Sequence, residues 1–382
     1  MNLIKNKKIA IVGGGPGGLT LARLLQMKGA VVQVFERDMN RNARAQGATL
    51  DFHEESGLKA LREAGLIKAF TDNYRPGAER ISIMDKYARL IFKEKPKTAD
   101  EIARPEIDRG PLQQILLDSL APGTVIWNRQ CISLGQEQDS WILGFQQGDS
   151  AKADIVIAAD GARSKIRPYI TPIIAIYSGI TAVEGAVYHS AKACPKMHQI
   201  LDGGKIFAMG DDKTVIVSSK GDDSLMFYTS CKMEELWSKN SGIDFSDKRQ
   251  VLDWFKQVFA GWDPVYFELF ENAALPFLPR PIYSMPLDQD WKSLPNLTML
   301  GDAAHLMSPF AGEGVNMAML DAWELSKYLA SEDFPSLQTA IGMYEQEMRQ
   351  RASEAAKQSL DSSIALHSEI AIPYLMNIIG AV

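Results

Sequence analysis

The sequence predicts an α/β protein: a parallel-sheet core, interrupted by a β-rich insert and closed by C-terminal helix. Three observations predict it. Ile9-Ala10-Ile11-Val12, Ile155-Val156-Ile157-Ala158 and Leu297-Thr298-Met299-Leu300 are apolar runs without alternation, as in strands covered on both faces. The first runs directly into Gly13-Gly14-Gly15-Pro16-Gly17-Gly18, a turn that opens a helix. From about Thr171 to Pro286 the strands lengthen and half-alternate, as in Lys213–Ser219 and Ser224–Cys231. That pattern belongs to an antiparallel layer with helices on one side.

The opening unit is the most specific. Gly13, Gly15 and Gly18 satisfy G-x-G-x-x-G. Gly13 makes the tight turn, Gly15 admits a pyrophosphate to the backbone beside Pro16, and Gly18 lets helix and strand pack closely. The helix from Leu19 to about Lys28 carries Leu21, Leu24 and Leu25 on one face and ends near Gly29. Its N-terminal N–H groups and dipole suit phosphate. The strand Val31–Phe35 then delivers Glu36, 18 residues after Gly18, where a carboxylate accepts ribose hydroxyls, with Arg37 beside it. Strand, glycines, helix, strand and acid in this order predict a Rossmann-type site for an adenine dinucleotide.

Beyond a polar loop, Arg37–Arg44, come Gly47–Asp51 and a helical stretch around Glu54–Glu63. Arg80–Lys93 alternates about Asp85-Lys86-Tyr87-Ala88 and reads as a hairpin. A helix begins near Arg109, and short strands follow around Val125, Ile132 and Ile142. In the insert, helices are expected around Glu234 and Val251–Phe259, and a long helix begins near Gly314. The expected partition is a nucleotide-binding domain over residues 1–170 and 287–335, a substrate domain over 171–286, and a bridging C-terminal helix over 336–382.

Three clusters point to a flavin. Gly301-Asp302-Ala303-Ala304-His305 continues through Pro309, Gly312, Gly314 and Asn316. A carboxylate just beyond a buried strand suits a ribityl hydroxyl, and glycines opening a helix aim N–H groups at the isoalloxazine edge. The bland alternative is an Asp N-cap before a glycine turn. Asp160-Gly161-Ala162-Arg163-Ser164-Lys165-Ile166-Arg167 is a strand end, a turn and three cations suited to both FAD and the phosphates of a nicotinamide donor, or else a solvated basic turn. Arg109 reaches the flavin from a helix start, or is a surface arginine. His305 reads as a packing or capping residue.

In this order the motifs resemble the single-component FAD-dependent aromatic hydroxylases, the family of p-hydroxybenzoate hydroxylase, and within it the tetracycline-inactivating flavin monooxygenases. The resemblance spans nearly the whole chain and rests on Glu36-Arg37-Asp38, Arg44, Gly47–Asp51, Pro105–Arg109 and Gly301–Asn316. It implies FAD held by Glu36, Asp51, Arg109 and Asp302, Arg44 meeting NADPH or a mobile flavin, and Phe310 against substrate. It also implies that NADPH reduces FAD and O₂ supplies the inserted oxygen, with no catalytic acid or base and no metal required of the protein. The insert departs from the pattern: Glu184, Lys205 and Met226 stand where glutamine, arginine and histidine meet the drug, with Phe207 nearby, and Glu313 replaces a glutamine. Lysine lacks the planar fork of arginine, and methionine cannot replace an imidazole. The expected substrate is therefore an aromatic or polyketide-like small molecule.

Composition narrows the partners. A net charge of −6 with scattered basic residues argues against nucleic acid, and the sequence has no apolar run long enough for a membrane span. Three distant cysteines predict neither disulfides nor structural zinc and suit the cytoplasm; a monomer is expected. A flavin-dependent halogenase shares the fold but carries W-x-W-x-I-P, and no two tryptophans here lie two apart. A reductase without oxygen chemistry and a flavin protein that only sequesters a ligand stay open at this point.

Overall fold

The apolar runs form one parallel sheet. Leu297–Met299, Ile155–Ala158, Lys8–Val12, Val31–Phe35 and Val125–Ile126 lie side by side in that order, as seen in the computed structural model, which describes residues 3–43, 49–96 and 104–381. Ile11, Val34, Ile155, Val156 and Leu297 are fully buried, so the sheet is covered on both faces, by helices and by the three-stranded antiparallel sheet Cys131–Glu137, Ser140–Phe145 and Ala151–Ala153. The helix Pro16–Met27 packs on this sheet through Leu21 and Leu25, and Gly314–Ala330 lies against it. All strand C-termini open on one edge, and the glycine turn, Asp160 and Asp302 follow three of them.

The second layer has seven strands in the order Leu278–Ser284, Ile176–Val187, Leu225–Lys232, Lys213–Ser219, Lys205–Gly210, Ile81–Asp85 and Leu90–Lys93. Neighbours are antiparallel except Lys205–Gly210 with Ile81–Asp85. The hairpin expected at Arg80–Lys93 thus forms, but as the edge of the insert's sheet, because Ile83 and Met84 find their apolar partners there. One face carries Val183, Val215, Val217 and Phe227, packed under the helices Lys248–Val258 and Phe267–Asn272. The opposite face looks toward the nucleotide domain and the C-terminal helices.

The expected C-terminal helix is two: Leu337–Leu366 and Ala371–Ile378. The long one spans both layers. Near its start Tyr344 donates to the Met299 carbonyl at 3.1 Å, and Thr298 and Ser293 donate to the buried Glu345. At its end His367 meets Ser230 of the seven-stranded sheet at 2.8 Å. His367 Nδ1 faces the Ser363 carbonyl and must donate to it, so Nε2 accepts from Ser230. Burial pushes His367 down to about 4, which keeps the ring neutral and this tautomer intact.

Candidate functional site

At the glycine turn the backbone leaves little choice of residue. Gly13 has φ of 112°, and a Cβ there would overlap the Ala159 carbonyl. At Gly18 a Cβ would overlap the Gly13 carbonyl. At Gly15 the space is open to at least 4 Å. The helix begins with Pro16, no side chain caps it, and its first turn carries no acid. Its leading N–H groups are therefore presented to that open space, which suits a pyrophosphate. Glu36, 3% exposed, accepts from Gly14 N at 2.6 Å and Asp38 N at 2.9 Å. One N–H on each oxygen fixes the carboxylate at the end of the second strand. Arg37 is exposed beside it. Asp160 accepts from Lys165 N at 2.7 Å through one oxygen; the other is buried with no hydrogen-bond partner among the described residues, and burial raises its pKa.

The second half of the site follows Leu297–Met299. Gly301 turns the chain with φ of 58° into the short helix Asp302–His305. Asp302 is partly exposed, and its carboxylate makes no hydrogen bond to another described residue. Burial raises its pKa despite the nearby His305 and Arg109 cations. An acceptor without a protein partner, next to an open turn, fits a ribityl chain. Pro309–Ala311 and Gly312, with φ of 74°, then lead into the helix opened by Gly314, whose N-cap Glu313 makes no capping bond. Asn316 is fully buried. Its amide donates to the carbonyls of Asp51 at 3.0 Å and Gly312 at 3.3 Å, and its oxygen accepts from His53 N at 3.0 Å. It braces two loops together.

A residue that sequence reasoning missed lies between those loops. His53 meets Asp51 at 3.1 Å through Nε2 and Glu313 at 3.4 Å through Nδ1. Burial works against its charge, but the two carboxylates outweigh it and push the imidazole up to about 9. Asp51 is likewise held below the usual carboxylate range against burial, by His53, Lys205 and Arg104. The signal was present in the alternation of Thr49, Asp51 and His53. Arg44 lies outside the described residues.

The substrate candidates share one sheet face. Glu184 is opposite Tyr228, Tyr228 opposite Ile216, and Ile216 opposite Phe207, while Met226 and Lys205 flank Ser218 in the next row. Phe310 packs into the same apolar cluster as Phe207. Both charged members are paired. Glu184 accepts from Arg280 at 2.9 Å, and Lys205 forms an ion pair with buried Glu106, next to Asp51. Two more ties join the domains: Arg75 donates to the Ser219 carbonyl at 2.7 Å, and Gly221 N donates to Asp108 at 2.9 Å. The result is an apolar floor between two ion pairs, facing the nucleotide domain.

The chain is 26% identical to the monooxygenase penA of Penicillium thymicola, over 97% of this chain and 98% of that one. It is 24% identical to the 6-hydroxynicotinate 3-monooxygenase of Pseudomonas fluorescens, over 94% and 92%. The solved tetracycline destructase Tet(51) superposes with a TM-score of 0.73 at 19% identity, over 99% and 95%, which shows a shared fold. Fold, site and relatives define an FAD-dependent monooxygenase of the aromatic hydroxylase type. The chain belongs to the FAD binding domain family, whose model matches residues 6–182 and 291–359.

Proposed function

We propose that this enzyme uses NADPH and O₂ to hydroxylate a planar aromatic, polyketide-like molecule, and turns over tetracyclines at reduced efficiency. The observation that carries the reading is the sheet face on which Met226, Ile216 and Phe207 form an apolar floor near Phe310, between the Glu184–Arg280 and Lys205–Glu106 pairs. Bound FAD supplies the redox chemistry. In this reading Gly13, Gly15, Pro16 and Gly18 cradle the pyrophosphate, Glu36 and Arg37 receive the adenosine, and Asp160 supports the turn. Asp51, Arg109, Asp302, Pro309, Gly312, Gly314 and Asn316 form or brace the flavin end. The domain ties and the C-terminal helices limit water at the substrate face. Three buried free cysteines suit a reducing cytoplasm, and among the described residues no helix is long and apolar enough to cross a membrane.

The substrate reading rests on polar matching. A tetracycline presents an oxygen-rich edge, and each polar atom buried without a partner costs about 1–3 kcal/mol. Met226 offers that edge no hydrogen bond, and Lys205 is already engaged by Glu106. NADPH oxidation and loss of tetracycline absorbance, measured for wild type and Met226→His, test this. The variant is expected to gain roughly ten-fold in kcat/KM, about one hydrogen bond's worth. Fast coupled turnover by wild type with no gain in the variant contradicts the proposed pocket.

A further inference from the structure

We infer that His305 is a positioning residue: its imidazolium, held by Asp321, which Arg351 holds in turn, keeps Asp302 ionised and ready to accept the flavin's ribityl hydroxyls. This rests on the proposed role of Asp302. His305 follows Asp302 by three residues, one turn along the short helix, and is 3% exposed. Its Nε2 is 2.5 Å from Asp321 Oδ2, and its Nδ1 is buried with no hydrogen-bond partner among the described residues. The Asp302 carboxylate, one helical turn back, makes no hydrogen bond to another described residue. A capping or packing histidine needs no buried counter-charge. This one has a counter-charge that is itself tightly held.

The groups around His305 come from every element packed on it. From Gly314–Ala330, Asp321 is 1% exposed and also accepts from Gly301 N at 2.9 Å. From Leu337–Leu366, Arg351 donates to Asp321 Oδ1 at 3.0 Å and to Glu324 at 2.6 Å, and Tyr344 lies nearby. Arg167 caps the Ala303 and Ala304 carbonyls at 2.9 and 2.7 Å, and Arg109 faces Asp302 from the helix Arg109–Asp118. Charges alternate along the line Glu324, Arg351, Asp321, His305, Asp302. Burial disfavours the His305 cation, but Asp321 and Asp302 together raise its pKa; Asp321 is lowered against burial by His305 and Arg351. Burial alone would favour a protonated Asp302, which could no longer accept from two hydroxyls.

The test is FAD binding to apoprotein, read by flavin fluorescence from acid to mildly alkaline pH. Wild type should lose affinity in acid as Asp302 protonates. His305→Gln and Asp321→Asn should move that limb up by about one pH unit, so that near its midpoint FAD binds about ten-fold more weakly, and should approach wild type at alkaline pH. Asp302→Asn should abolish the limb. A second measurement keeps the inference exposed should either buried variant fail to fold. The His305 resonance, one of five histidines, is titrated by NMR in wild-type and Asp302→Asn apoprotein. Reciprocity requires its midpoint to fall when the Asp302 charge is removed. An unmoved acid limb in His305→Gln, or an unmoved His305 midpoint in Asp302→Asn, overturns the inference. An Asp302→Asn protein that keeps both affinity and acid limb shows instead that Asp302 does not hold the flavin.

Discussion

The two halves of this site are built differently. The nucleotide half is made of backbone: Gly13 and Gly18 have no room for a Cβ, Gly15 leaves the helix N-terminus open, and Glu36 is fixed by two N–H groups. The proposed substrate half is made of side chains brought together across strands. Glu184, Met226 and Lys205 come from three strands, and Lys205 finds its counter-ion in Glu106 of the other domain. A backbone site tolerates little change and fixes the cofactor. A side-chain face can be rewritten one position at a time without disturbing the turn, so substitutions on the proposed substrate face are expected to leave FAD binding intact.

The contrast is broken most severely at the turn itself. Gly13→Ala must push against the Ala159 carbonyl from a conformation L-residues rarely adopt. A loss of roughly 3 kcal/mol is expected, with protein purifying free of flavin colour. Gly15→Ala should leave melting temperature nearly unchanged yet weaken FAD, because its Cβ meets no protein atom within 4 Å and intrudes only on the ligand. Equal loss of stability in both variants would remove the distinction.

Next in size is Glu36→Ala. Losing a charge-assisted hydrogen bond is worth about 1.5–3 kcal/mol, so the FAD dissociation constant should rise about 10- to 150-fold while the reduction of bound flavin by NADPH stays fast. An unchanged constant, measured by titrating apoprotein, places the adenosine elsewhere.

This difference also explains what was legible in the sequence. Lys8 to Glu36 is one continuous stretch whose spacing maps directly onto geometry, and strand, turn, helix and strand are found there. The seven-stranded sheet was legible only as a type of layer. Its register, and the recruitment of Ile81–Asp85 and Leu90–Lys93 into it, depend on pairings more than 100 residues apart. The bracing of Asp51, Gly312 and His53 by the Asn316 amide was not legible, because it joins residues more than 250 positions apart as well as its own turn. His305 read as packing because its ion partner Asp321, and the Arg351 that holds Asp321 in turn, lie on two later helices. His53 passed unnoticed for the same reason, since Glu313 is brought to it only by the fold.

His53 sits where the two halves meet, and pH sharpens the comparison there. Its folded pKa of about 9 lies above the ordinary 6.5, so its contribution is full below pH 6.5 and lost as pH rises through 9. About 2 kcal/mol is expected after discounting the partners' own coupling. The stability gap between wild type and His53→Asn, from urea unfolding at a series of pH values, should therefore shrink across that window. A gap independent of pH would mean the ring is not charged in the folded protein.

The most direct test is oxygen uptake alongside NADPH oxidation by the FAD-loaded protein, across phenols, aromatic polyketides and tetracyclines. The account predicts that an aromatic polyketide stimulates both rates together and yields a product heavier by one oxygen atom, with tetracyclines slower. NADPH oxidation without oxygen uptake, or ligand binding that stimulates neither, would contradict it.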